Sequence, residues 1–141
     1  METITPNFNF NGKCYEALKL YQEAFNGKIT CLIRNRDATW EAFQKDLTND
    51  EKEYVYHAEM CIGNQRIMMC DNFDVPYKPS ASLSLTVTMD TKEDVIHAFD
   101  IMKEGCEVIY PPHSTAYSSC FVSFYDRFGF RWTIMTEQTD K

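Results

Sequence analysis

No stretch of this sequence approaches the roughly 20 consecutive apolar residues that a bilayer-spanning helix needs, so no membrane helix is expected. Nor is there a run of Lys or Arg: 14 basic residues face 21 acidic ones, for a formal charge of −7. Contact with polyphosphate demands clustered cations, so neither nucleic acid nor an anionic membrane surface is an expected partner. The start, Met1-Glu2-Thr3, lacks both the basic and the apolar stretch of a signal peptide, so the expected location is cytoplasmic. There is also no Cys-x-x-Cys pair among the six cysteines at 14, 31, 61, 70, 106 and 120. In a reducing compartment they are expected to be free thiols. Cys14, Cys31, Cys61 and Cys106 fall within periodic segments, where cysteine serves as a small core residue. Glycine is scarce, at five residues, and four of the five end a periodic segment.

What is present reads twice. In the first pass Phe8 to Phe10 precede a helical run from Lys13 to Phe25. Gly27, a strand through Ile29, Cys31 and Ile33, and a hairpin turned at Gly63 follow. In the second pass Leu83 to Met89 precede the run from Lys92 to Glu104. Gly105, a strand through Val108 and Tyr110, and a hairpin turned at Gly129 follow. The first copy carries extra chain over Asp37–Glu53. At 141 residues this is expected to be one domain of two modules, 3–74 and 80–137, with the break Val75-Pro76-Tyr77-Lys78-Pro79 between them. Related halves that meet along a seam create a cleft, a common place for small molecules to bind.

Strand one alternates, with Phe8 and Phe10 on one face and Asn7, Asn9 and Asn11 on the other. Helix one carries Cys14, Ala17, Leu18, Tyr21 and Phe25 at helical spacing, and Asn26-Gly27 predicts a left-handed cap at the glycine. Asp37–Glu53 holds six acids, with Trp40, Phe43 and Leu47 spaced like one side of a short helix. It reads either as a lid or partner-covering excursion or as an acidic surface helix. The hairpin strands are expected at Tyr54–Ile62 and Gln65–Asn72, turned at Gly63-Asn64. Ser82–Met89 is the cleanest strand, with Leu83, Leu85, Val87 and Met89 alternating with serines and threonines. Helix two opens at Asp90 or Thr91 and buries Val95, Phe99 and Met102, and Pro111-Pro112 is expected to end the strand after it. The last hairpin is Ser119–Asp126 with Phe130–Glu137. Each first strand must cover its helix with its apolar row, so Asn7/Asn9 and Ser84/Thr86 face the other way. In a curved sheet with helices outside, that way is the concave interior.

Ile4-Thr5-Pro6, Phe10-Asn11-Gly12 and Glu16-Ala17-Leu18 through Tyr21 lead a series of short motifs. His57-Ala58-Glu59, Ile62-Gly63, Ile67-Met68-Met69 with Asp71, and Asp126-Arg127-Phe128-Gly129 with Trp132 complete it. In this order, over about residues 3 to 137, they resemble the vicinal oxygen chelate superfamily of glyoxalases, bleomycin-resistance proteins and extradiol dioxygenases. Within it they resemble the PhnB-like, 3-demethylubiquinone methyltransferase-like branch. The resemblance implies an α+β fold of two paired βαβββ modules forming a curved, open, mixed sheet with helices outside, and it implies homodimers. It also implies a divalent metal held by His, Glu or Gln on four strands. Those positions fall here at Pro6 or Asn7, at Met68 or Met69, at Ser84 and at Thr133, and no metal or other cofactor is expected from such side chains.

His97 reads as solvated surface. His57 shares a strand face with Val55, Glu59 and Cys61, and with Asp71 on the next strand it reads as a base and its orienter, or as a structural histidine fixing the hairpin. His113 opens Ser114-Thr115-Ala116-Tyr117, where PhnB-like relatives tend to carry Glu, Phe and Trp at Ser114, Ala116 and Tyr117. That implies a more polar or roomier ligand site. Cys70 beside Asp71 reads as an unactivated thiol rather than a nucleophile. Phe124, Tyr125, Phe128, Phe130 and Trp132 read as core or interface before pocket lining. The resulting expectation is a metal-free protein that binds a small organic molecule in the cleft between its modules. Its contacts would be Asn7, Asn9, His57, Met68, Cys70, Asp71, Ser84, Thr86, Tyr117 and Thr133, and it would form a homodimer covered by Trp40 and Phe43. The alternatives are a lyase, isomerase or dioxygenase using a divalent metal or His57 as base, and a purely protein-binding module.

Overall fold

A computed structural model describes residues 1–38 and 46–137, so Trp40 and Phe43 lie outside the described residues. The chain forms two compact units, Met1–Tyr77 and Lys78–Lys141. In the first, β1 (Asn7–Phe10) leads to helix α1 (Cys14–Phe25) and β2 (Lys28–Arg34). A 3-10 turn (Asn35–Asp37), a short helix α2 (Asn49–Glu53), β3 (Val55–Ile62) and β4 (Gln65–Asp71) follow. The strands lie in the order β1-β4-β3-β2, with β1 parallel to β4 and the other pairs antiparallel. The second unit repeats the plan with β5 (Ser84–Thr88), α3 (Lys92–Met102), β6 (Glu107–His113), β7 (Phe121–Tyr125) and β8 (Arg131–Met135), in the order β5-β8-β7-β6. Among the described residues these are two four-stranded mixed sheets, each with one long helix.

Period-two and helical periodicity meet as the sequence predicts. Phe8 and Phe10 are buried while Asn7 and Asn9 are exposed. The α1 stripe Cys14, Ala17, Leu18, Tyr21 and Phe25 is buried against the phenylalanine face, with Phe8 and Tyr21 rings 5.7 Å apart. In the second unit Val95, Ala98 and Met102 of α3 are buried, and Phe99 is half-buried with its ring 5.4 Å from Phe124. Phe124, Phe128 and Trp132 of the predicted aromatic cluster are core, while Tyr125 and Phe130 are half-buried.

Several local expectations are corrected. The left-handed cap of α1 is Asn26, at φ 53°, not Gly27. Gly27 answers a different need, because a Cβ there would stand 2.5 Å from Met60 Sδ in the fully buried core. Strand β5 is shorter than Ser82–Met89, and Leu83 lies outside it, exposed. Helix α3 ends at Met102 rather than Glu104 and is capped by Thr91, whose hydroxyl accepts from Asp94 N. Pro111-Pro112 do not end β6, which runs through both to His113. That is permitted because β6 is an edge strand, where a missing N–H leaves no neighbour unpaired. Of the acidic excursion, the described part contains α2, closed by a reciprocal Thr48–Glu51 capping box and carrying no buried residue.

Candidate functional site

The register of the first sheet puts Asn7, Met68, Glu59 and Cys31 in one row across all four strands. Asn9 and Cys70 pair in the row beside it, and Ile33 pairs with His57. This face lies opposite the Phe8, Ala58 and Met69 row, which is buried under α1. Asn7, Asn9, His57, Met68 and Cys70 therefore share one face. Asp71 does not. It pairs with Phe10, on the helix side, and there its carboxylate accepts from the backbone N–H of Gly12 at 2.7 Å, Cys14 at 3.1 Å and Val55 at 2.8 Å. The expected His57–Asp71 pair is thus corrected, because adjacent residues of a strand point to opposite faces and Asp71 closes the β1–α1 turn.

The partner of His57 is Glu59, two residues along the same strand. Nε2 donates to Glu59 Oε2 at 2.7 Å, and Arg66 Nε donates to Glu59 Oε1 at 2.6 Å. These two bonds, the Arg66 bond foremost, hold the Glu59 carboxyl down to about 2 from its ordinary 4.5. An ionised Glu59 fixes the proton on His57 Nε2 in the neutral ring and leaves Nδ1 as an acceptor. The sequence by itself does not mark Glu59 and Arg66 as site residues, although the period-two spacing of His57 and Glu59 and the Gly63 hairpin place them together. A depressed carboxyl stabilises the fold fully above 4.5, and its contribution fades as pH falls toward 2. Wild type is therefore expected to exceed Glu59→Gln in acid stability at pH 5, with the gap closing by pH 2, as followed by circular dichroism. A constant gap across that range would remove the assignment.

Cys70 Sγ donates to Asn9 Oδ1 at 3.3 Å, and burial, followed by Asp71 and Asp74, pushes its thiol up. That favours the protonated, unreactive form. Burial does the same to Cys14, with nearby Asp71 adding to it.

In the second sheet the paired Phe124 and Trp132 face α3, and the rows on either side of them face away. One such row is Thr86, Thr133, Ser123 and Tyr110, and the next is Thr88, Met135, Phe121 and His113. Thr133 Oγ1 donates to Ser123 Oγ at 3.4 Å, and both residues are buried. Ser84 pairs with Arg131, not Thr133. Tyr117 follows β6, its backbone N–H bound to Thr115 Oγ1, and its ring stands 6.2 Å from Phe121. The predicted contacts of this half thus share a face, with Tyr110, His113 and Phe121 added to them.

The four positions at which the resemblance places metal ligands do not fit a divalent ion. Asn7 and Met68 are register neighbours, whereas Met69 is buried on the helix side. Thr133 aligns with Thr86, and Ser84 with Arg131. An amide, a thioether and hydroxyls supply neither the imidazole nor the carboxylate that such an ion takes. Among the described residues no group of three or more His, Cys, Asp or Glu is placed to hold one.

A family model described as 3-demethylubiquinone-9 3-methyltransferase matches residues 2–135, and the chain belongs to that family. The fold is that of solved members of the glyoxalase/bleomycin-resistance group. It is similar to protein PA1353 from Pseudomonas aeruginosa at 28% identity and a TM-score of 0.82, covering 98% of this chain and 99% of that one. It is similar to the PhnB protein from Bacillus cereus at 24% identity and a TM-score of 0.76, covering 96% and 99%. A genomically encoded fosfomycin resistance protein, FosX, from Listeria monocytogenes shares the fold at 11% identity and a TM-score of 0.64, covering 96% and 93%. No curated protein matches the chain. No helix among the described residues is long and apolar enough to cross a membrane.

Proposed function

We propose that this PhnB-like chain binds a small organic molecule, without a divalent metal, on the sheet faces turned away from α1 and α3. The observation that carries the reading is the set of polar side chains gathered on those faces. Asn7, Asn9 and the Arg66–Glu59–His57 chain lie on one, and Thr86, Ser123 and Thr133 on the other. Arg131 adds to it. Its Nη1 donates to Ala81 O at 3.0 Å, but its buried Nε has no acceptor among the described residues. An unpaired buried donor costs about 1–3 kcal/mol, which a ligand acceptor would offset. Methyl transfer, named in the family's description, is not part of this reading: the five glycines stand singly, and no glycine-rich loop is available to cradle a nucleotide-like cofactor. A homodimer in the cytoplasm belongs to the same proposal, and FosX is a reason to include phosphonates among trial ligands.

The test is native mass spectrometry, with elemental analysis, of protein purified without chelator. The expected result is an organic adduct, lost on Arg131→Met or Asn7→Leu, and far less than one divalent ion per chain. One tightly held divalent ion per chain, released by His57→Ala or Glu59→Gln, would replace this reading with a metal enzyme. A sole monomer at micromolar concentration in sedimentation would remove the dimer.

A further inference from the structure

We infer that Tyr110, His113, Tyr117 and Phe121 form a stacking platform for a planar aromatic ring, so that the small molecule of the proposed function belongs to the aromatic class. This rests on that reading and narrows it.

The argument begins with the register. Tyr110 pairs with Ser123 and His113 with Phe121, so three steps along β6 match two along β7. In a regular strand, residues three apart point to opposite faces. The extra residue, taken up at Pro111-Pro112, brings Tyr110 and His113 to the same face, the one that Phe121 occupies. Bulges that re-aim a side chain are common next to binding sites.

Phe121 is the hub. The His113 ring stands 5.6 Å from it, Tyr117 6.2 Å and Tyr110 6.5 Å, inclined to it by 65°, 88° and 59°. Tyr110 and His113 are 6.4 Å apart. Rings this close in edge-to-face and tilted contact leave no room for a cation among them, so they form a continuous surface rather than a cage.

Two of the four residues are also held from outside the cluster. His113 Nδ1 donates to Pro111 O at 2.7 Å, which leaves Nε2 as the acceptor of the neutral ring. Tyr117 sits in a turn closed by Thr115 N to Ser118 O at 2.8 Å. Ser118 is anchored in turn, its hydroxyl 3.1 Å from Thr136 Oγ1 in the buried core. Yet Tyr110 is 53% and Tyr117 54% exposed. Four rings in mutual contact with two half-open faces, beside the hydroxyl row of Thr86, Thr133 and Ser123, suit a flat ring bearing a polar group. The stretch 107–125 contains no Lys or Arg to select an anion instead.

The experiment uses the full chain and two probes of similar size, naphthol and its saturated counterpart decahydronaphthol. Titration is followed by backbone amide shifts in nuclear magnetic resonance. Naphthol is expected to shift amides within 110–123, to bind about tenfold more tightly than decahydronaphthol, and to lose about tenfold in affinity in Phe121→Leu and in Tyr117→Leu. Tyr117→Leu lies in an exposed turn, so it reports binding even if Phe121→Leu is poorly folded. Equal affinity for both probes, or shifts confined to other strands, overturns the inference. A non-aromatic adduct in the mass spectrum that protects these strands would overturn it while leaving the proposed function standing. Recovery of no adduct at all, with naphthol still binding here, would count against the proposed function alone.

Discussion

Asp126→Ala is expected to leave little folded protein. The carboxylate is buried and accepts from Phe128 N at 2.9 Å, Phe130 N at 3.0 Å and Trp132 Nε1 at 2.9 Å. Its own backbone closes the same turn, donating to Phe130 O at 2.8 Å and accepting from Gly129 N at 2.9 Å. Alanine would strand three donors, each costing about 1–3 kcal/mol, so the loss is on the order of 3–9 kcal/mol. That is a large part of the ~5–15 kcal/mol that holds a domain together. Asp126→Asn is the finer test. Its amide oxygen still serves the turn, but its NH2 meets the indole N–H donor to donor. Trp132→Phe should therefore cost less in the Asp126→Asn background than in wild type. Urea denaturation of the four proteins of this cycle checks it, and strict additivity would show that the indole bond contributes nothing.

The motif containing Asp126 shows what a resemblance does and does not carry. Asp126-Arg127-Phe128-Gly129 with Trp132 carries the resemblance to the family, and its conspicuous residues are occupied in building one turn, with Gly129 at φ 94°. The fold was legible because alternation in Asn7–Phe10 and helical spacing in Cys14–Phe25 are local patterns that packing reinforces rather than overrides. The site was legible only in part. Period two groups Asn7 with Asn9 and Met68 with Cys70 within their own strands, and the β1–β4 register then puts both pairs on one face.

The Glu59–Arg66 contact and the Tyr110–Phe121 cluster depend on register across strands. Sequence spacing gives no register until the turn and the bulge are known. Pro111-Pro112 was the signal for the second of these. Two prolines read as a strand end when a central strand is assumed, and as a bulge once the strand is seen to lie at the edge.

The second large effect is Asp71→Ala, and it separates structure from chemistry at a residue that the sequence offers as catalytic. Asp71 Oδ1 holds the N–H groups of Gly12 and Cys14, and Oδ2 holds that of Val55, so one carboxylate ties the start of α1 and the start of β3 to the end of β4. Gly12 lies at φ 109°, a conformation that this anchorage helps to fix, and an added Cβ there would press the Tyr54 ring at 3.1 Å. Truncation is expected to cost on the order of 3–5 kcal/mol, because three part-buried N–H groups lose their acceptor together. His57→Ala breaks one contact on a half-exposed face and is expected to cost under about 1 kcal/mol. Guanidinium unfolding of the two variants reads the difference directly. The ordering also bears on ligand binding. His57→Ala should weaken the adduct of the proposed function in a protein that is still fully folded, whereas Asp71→Asn, which keeps one acceptor oxygen, should lose stability and binding in step. If Asp71→Ala proved as stable as wild type while binding was abolished, the carboxylate would have to face the ligand, and the register that turns it toward α1 would be wrong.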